Sequence, residues 1–348
     1  MKAKIVSMTE EQLDMEALRE AGQILKQGGL VAFPTETVYG LGGNALDPEA
    51  SGKIYQAKGR PSDNPLIVHI ADQKDLEPLV LEVPEKARIL AEKCWPGPLT
   101  MIFRKSELVP LKTTGGLDSV AVRMPRHRTA LELIRQAGGY VAAPSANTSG
   151  RPSPTKAEHV IADLADKIDM IVDGGEVGIG LESTIVDFTE EIPTVLRPGY
   201  LDLETLSELI GEVRMDRGLT LEGNARPKAP GMKYRHYAPQ GDLTIVEGEE
   251  EQVREAISRM AEEKIAQGFR VGILAADETA GSYPAGLVKR IGSRRSEETI
   301  ARHLYSVLRE FDEEKTDYIY SESFATPKMG QAIMNRLLKA AGHQIIEV

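Results

Sequence analysis

Cysteine is almost missing from this chain: Cys94 is the only one in 348 residues. An intrachain disulfide is therefore excluded, and stability has to come from buried cores rather than covalent staples. No apolar run reaches membrane-spanning length, and no charged-then-apolar segment opens the sequence. Both absences point to a cytoplasmic protein with no membrane contact. Basic charge is also short. The net charge is -11, whereas a generic nucleic-acid binder needs a dominant basic field to displace counterions from phosphates. That leaves room only for a weak, local RNA contact. Internal repeats and low-complexity tracts are lacking too, and no His, Cys or carboxylate pair has metal-ligand spacing.

What is present divides the chain. Its length exceeds what one hydrophobic core usually serves, so two domains are expected. Up to about residue 210, apolar periodicity predicts helices near 14–28, 48–57, 84–94, 128–137 and 155–165. Strands are predicted near 30–34, 66–71, 99–104, 119–124, 140–144, 169–173, 183–188 and 193–197. The closing run of strands without helices between them predicts a mixed, not purely parallel, sheet. Residues 211–240 form the next stretch, and within it Ala225 to Pro239 carries Arg226, Lys228, Lys233 and Arg235 with no acid. Its prolines rule out continuous helix, which makes it a cationic, irregular linker. From 241 to 348, strands near 243–247, 270–275, 288–292 and 317–321 alternate with helices near 250–267, 296–312 and 330–342. This alternation predicts a small Rossmann-like parallel α/β domain, although no GxGxxG follows its first strand.

Polar chemistry gathers at the predicted strand ends. FPTETVYGLG, from Phe33, offers Thr35 and Thr37 as short hydroxyls and Gly40, Gly42 and Gly43 for close approach of backbone to a ligand. Lys58 and Arg60 follow an amphipathic stretch and can serve one anion, as a point charge and a planar fork. Gly59 between them equally fits a helix C-cap. His69 interrupts the apolar PLIVHI, and Arg123 ends SVAVR, where a bidentate grip on a carboxylate makes physical sense. PSANTSGRPSPT places Ser145, Asn147 and Ser153 in a loop broken by glycine and proline, with a helix N-cap expected near Ser153 to Thr155. Ser145 lacks the flanking glycines of a nucleophile elbow, and the glycines from Gly174 to Gly180 have no Walker lysine after them.

Taken in order, FPTETVYGLG, the Lys58–Arg60 pair, NPLIVHI, PSAN at Pro144 to Asn147, LRPG at Leu196 to Gly199 and PGMKYRHYAP resemble the YrdC-type threonylcarbamoyl-AMP synthase family, in its long two-domain branch. The resemblance implies a YrdC-like mixed twisted sheet in residues 1–210. It also implies a reaction: L-threonine and bicarbonate give N-carboxythreonine, which attacks the α-phosphate of ATP to form threonylcarbamoyl-AMP and pyrophosphate. Lys58 and Arg60 then take the catalytic role. Threonine falls to Thr37, His69, Arg123, Ala143 and Ser183, and ATP to Arg60, Asn64, Ser119, Ser145, Asn147, Ser153, Arg197, His236 and Tyr237. Mg2+ is expected to come with ATP, with no tightly bound organic cofactor. Downstream machinery would pass the threonylcarbamoyl group to tRNA. A double-stranded RNA-binding factor without catalysis is the competing reading of the same fold.

Overall fold

The computed structural model describes residues 2–216, 228, 236–325 and 328–348. Two compact units emerge. The first comprises residues 1–149, 154–178 and 182–233; the second comprises 150–153, 179–181 and 234–348. Most of the cationic stretch, including Arg226, Lys233 and Arg235, lies outside the described residues. Lys228, which is described, pairs with the buried Asp187 at 3.1 Å and with Glu190 at 3.4 Å.

The first unit runs β1 (Lys4–Ser7), α1 (Met15–Lys26), β2 (Val31–Phe33), β3 (Gly40–Asn44), α2 (Pro48–Lys58), β4 (Ile67–His69), α3 (Glu85–Cys94), β5 (Leu99–Arg104) and β6 (Ser119–Arg123). It continues through α4 (Arg128–Gln136), β7 (Val141–Ala142), α5 (Ala157–Leu164), β8 (Met170–Asp173), β9 (Thr184–Asp187), β10 (Thr194–Arg197), α6 (Leu203–Ile210) and β11 (Arg214–Met215). The strands form one mixed sheet in the order β1-β8-β2-β3-β7-β4-β6-β5-β9-β10-β11.

Strand alternation sorts its side chains strictly. One face carries Ala32, Leu41, Val68, Met101, Val120, Val122, Ile171 and Val186 into a core shared with α2, α3, α5 and α6. The other face is divided. Val31, Phe33, Val141, Met170 and Val172 pack under α1 and α4, whereas Ile67, Ile102, Ala121, Ile185 and Leu196 form a cluster whose described members are all strand residues. The functional candidates lie on this second half.

Several elements differ from the sequence expectation. Gly40 to Gly43 is a strand, not a ligand loop. A Cβ on Gly42 would stand 2.9 Å from a Val141 methyl and 3.0 Å from the Phe33 ring, so these glycines let neighbouring strand side chains close in. No N-cap forms at Ser153 to Thr155, because α5 starts two residues later with Lys156 as its cap. The short elements β1, α6 and β11 were not expected; α6 is capped by Asp202, whose carboxylate accepts from the Thr205 N–H at 2.8 Å.

The second unit is β12 (Asp242–Glu247), α7 (Glu250–Ala266), β13 (Val271–Ala275), β14 (Leu287–Arg290), α8 (Glu297–Glu313), β15 (Tyr318–Glu322), α9 (Gly330–Ala340) and β16 (Ile345–Glu347). All its strand pairs are parallel, in the order β14-β13-β15-β12-β16. The small parallel α/β layout is as expected, with β16 added at one edge. At the end of β15 the buried Glu322 accepts from the Thr279 hydroxyl, the Tyr283 hydroxyl at 2.6 Å, the Ala276 N–H at 3.1 Å and Arg294 at 2.8 Å. Four donors on one carboxylate tie the strand ends together.

Candidate active site

Strand register distributes the expected residues. On β4 and β6, Ile67 pairs with Ala121 and His69 with Arg123. Thr100 of β5 pairs with Arg123, and Leu99 with Thr184. His69, Arg123 and Thr100 therefore share a face and one end of the sheet, with Ser183 immediately before β9. Ser119 occupies the same face at the opposite end of β6, four residues or about 13 Å from Arg123. It falls level with the Asn64–Pro65 entry to β4, and Ala143 joins that end by donating its N–H to Ile67 O at 2.9 Å.

At the first end, Arg197, Ser183 and Thr100 are linked by hydrogen bonds or close hydroxyl contacts. Arg197 donates from Nε to Ser183 O at 3.0 Å and from Nη2 to Ser183 Oγ at 3.1 Å, while Ser183 Oγ lies 2.7 Å from Thr100 Oγ1. The resemblance had given Ser183 to threonine and Arg197 to nucleotide, yet the two touch. A bulge explains the aim of Arg197: between Val195 and Arg197 the register slips, setting Arg197 opposite Ile185 on the same face. Thr100 was missed by sequence reasoning, since nothing local marks one threonine in LTMIFR.

His69 is buried at 4% exposure. Burial, reinforced by the Arg123 charge, pushes its imidazole down to about 3. Its Nδ1 lies 3.1 Å from Ile67 O and, as the neutral tautomer, donates to it. The folded pKa is below the unfolded value near 6.5, so the protein gains stability from this site above about pH 6.5 and loses it as pH falls toward about 3. His69→Gln should flatten the acid limb in that window when unfolding free energy is followed against pH. An identical acid limb would show that the imidazole can charge in place.

Arg123 makes a contact that sequence reasoning did not foresee. Its Nη2 lies 2.8 Å from Glu36 Oε2, with both side chains under a tenth exposed. The alignment is too poor for a hydrogen bond: both Glu36 oxygens and the Arg123 Nε and Nη2 are buried without a hydrogen-bond partner. Glu36 belongs to the PTETVY turn, where Thr35 Oγ1 receives the Thr37 N–H at 3.2 Å, lies 2.9 Å from Thr37 Oγ1 and donates to Val38 O at 2.7 Å. The fully buried Thr37 is fixed by that turn. The signal available in sequence was a lone acid inside a motif of hydroxyls and apolar residues. His127 is near the same carboxylate, and burial lowers its pKa against the pull of Glu10 and Glu36.

At the other end, Lys58 closes the site. Only 1% exposed, it donates from Nζ to Ser145 O and Asn147 O, each at 2.5 Å. Asn147 Oδ1 receives the Ser145 hydroxyl at 2.5 Å. Gly59 is a left-handed C-cap with φ 62°, as one sequence reading had it, and turns the chain so that Arg60 donates to Asn64 O at 3.3 Å and Pro65 O at 3.2 Å. Asn64 Oδ1 is buried without a partner. Lys58, Arg60, Asn64, Ser145 and Asn147 thus enclose one end of the sheet with two cations and amide and hydroxyl groups, a composition suited to a polyphosphate.

Ser153, His236 and Tyr237 belong to the second unit. Ser153 is fully buried, and Tyr237, at φ 65°, rests its ring on Tyr305 with centroids 5.1 Å apart. The Cys94 thiol is pushed up by burial, away from nucleophilic chemistry. Among the described residues, no group of three or more His, Cys, Asp or Glu side chains could hold a metal ion.

Comparison with known proteins decides among the readings. Residues 23–199 match the Sua5/YciO/YrdC family model, described as telomere recombination, and residues 190–342 match the C-terminal domain of threonylcarbamoyl-AMP synthase. A threonylcarbamoyl-AMP synthase from Bacillus subtilis is 51% identical over 330 residues, covering 94% of each chain. One from Pyrococcus abyssi is 48% identical, covering 99% of each chain. This chain belongs to the threonylcarbamoyl-AMP synthase family. A crystal structure of Pyrococcus abyssi Sua5 complexed with L-threonine superposes with a TM-score of 0.93 at 47% identity, over the full length of both chains. The two-domain branch and both fold expectations are thereby borne out, and the non-catalytic RNA-binding reading is not favoured. No helix among the described residues is long and apolar enough to cross a membrane.

Proposed function

We propose that the protein condenses L-threonine, bicarbonate and ATP into threonylcarbamoyl-AMP and pyrophosphate, in the cytoplasm, for threonylcarbamoylation of tRNA by downstream machinery. The observation that carries this reading is the polar set His69, Arg123, Thr100, Ser183 and Arg197 along one sheet end, with a second set built on Lys58 and Arg60 at the other. The first suits an amino acid. The second suits the phosphates.

Threonine's amine and CO2 derived from bicarbonate form a carbamate. A carbamate oxygen then bonds to the α-phosphorus as the bond to the β-phosphate bridging oxygen breaks, and the electron pair leaves with pyrophosphate. The nucleophile is already anionic, so alignment and neutralisation of phosphate charge matter more than a strong base. Lys58 and Arg60 supply charge, and Asn64, Ser119, Ser145 and Asn147 supply nucleotide contacts. Mg2+ enters on the triphosphate as part of the substrate. The nucleotide role of Ser153, His236 and Tyr237, and any RNA contact, rest on the resemblance alone.

Mass spectrometry of products from ATP, bicarbonate and isotopically labelled threonine tests the reading. Label should appear in an adenylate that also contains the bicarbonate carbon. Threonine-independent pyrophosphate release with no labelled adenylate would overturn it.

A further inference from the structure

The least explained feature of the first unit is the Glu36–Arg123 contact. Buried ions are tolerated when their hydrogen-bonding capacity is used, and here much of it is not. The unbonded Arg123 atoms, Nε and Nη2, form the side-on edge of the guanidinium, the edge that takes a carboxylate bidentately. The unbonded Glu36 atoms are both oxygens, a pure acceptor.

Among the described residues, Arg123 is the cation paired with Glu36. Burial lowers the His127 pKa against the pull of Glu10 and Glu36. Arg128, on the far side of His127, is committed to Glu10: its backbone N–H donates to Glu10 Oε2 at 2.6 Å and its Nη1 to Glu10 O at 2.5 Å.

An unsatisfied two-donor edge 2.8 Å from an unsatisfied acceptor is the complement of a zwitterion whose two charges hang from one carbon. We propose that Glu36 is the acidic half of an amino-acid receptor, accepting from the α-ammonium of threonine while Arg123 takes the α-carboxylate. This rests on the threonine-dependent reading above and adds to it a residue that recognises the amine. It also gives the buried pair a reason to lack hydrogen bonds between its own members: each keeps its groups for the substrate. Carbamate formation removes the ammonium charge, so Glu36 would discriminate free threonine from its N-carboxylated form.

The test is a cycle between one side chain and one ligand atom. Binding of L-threonine to the full chain is measured by calorimetry in wild type and Glu36→Gln, alongside 2,3-dihydroxybutyrate, which keeps the carboxylate and side chain but has hydroxyl in place of the amine. Wild type should prefer threonine by about 30-fold, the size expected of one hydrogen bond to a charged group. In Glu36→Gln the preference should shrink to about 3-fold or less. Equal affinity of wild type for both ligands would overturn the assignment without any variant. So would an equal loss of both ligands in Glu36→Gln, because Glu36 would then act only by holding Arg123. If wild type binds neither ligand, with or without ATP, the threonine reading itself falls, and this inference with it.

Discussion

Lys58→Ala should lower threonine-dependent pyrophosphate release by about 100-fold or more, while changing the threonine requirement far less. One reason is electrostatic. A preorganised donor aimed at developing phosphate charge is commonly worth about 100- to 1,000-fold in turnover, and such charge is greatest in the transition state. The other reason is architectural. Nζ is the donor that Ser145 O and Asn147 O share, and a buried carbonyl that loses its donor costs about 1–3 kcal/mol. Lys58→Met removes charge and donor together but keeps the stem's volume, so any difference from Lys58→Ala reports packing. Turnover and melting temperature are to be measured together in both variants. Near-normal turnover in a folded Lys58→Ala protein would remove this lysine from the mechanism.

Arg123→Ala should be damaging in two independent measurements. The KM for threonine should rise by about 100-fold, as expected when a bidentate carboxylate partner is lost. Stability should also fall, since deleting one member of a buried ion pair leaves an uncompensated charge at a cost of about 3–5 kcal/mol. For a domain of this size that corresponds to a melting shift on the order of 10 °C. Combining Arg123→Ala with Glu36→Gln should restore much of the melting temperature and none of the threonine affinity. Arg123→Lys keeps the charge but not the fork, so it should melt closer to wild type and still need more threonine. An Arg123→Ala protein with unchanged threonine KM would exclude this residue from carboxylate binding.

The sequence was most legible where one residue announces its own environment. His69 in an apolar strand, Arg123 at the end of an alternating one, and Lys58–Gly59–Arg60 after an amphipathic turn all occupy the local settings expected of them. Pairings between distant strands were not legible. That Ser119 and Arg123 lie at opposite ends of one face follows from counting along β6, but that Arg123 meets Glu36, or Thr100 meets Ser183, needs contacts 83 or more residues apart. The bulge that redirects Arg197 leaves no composition signature. In β3 the glycines misled because their lack of side chains serves Phe33, Val141 and Ile54, which fill the space instead. Helix α6 had a readable cap in Asp202 but only eight residues, too few for periodicity to stand out.

The half of the sheet face built on Ile67, Ile102, Ala121, Ile185 and Leu196 has a consequence for how such a protein can diverge. Arg123, Ala121 and Ser119 face one way from β6, while Val122 and Val120 enter the core with α2, α3, α5 and α6. Substitution at alternate positions can therefore retune the floor one side chain at a time. Loss or gain of a single residue within β6 is different in kind: it would turn valine toward the candidate site and drive a guanidinium into the helices behind. Lineages carrying this floor should accumulate point changes along β6, β4 and β5 while their length differences collect in the connecting loops.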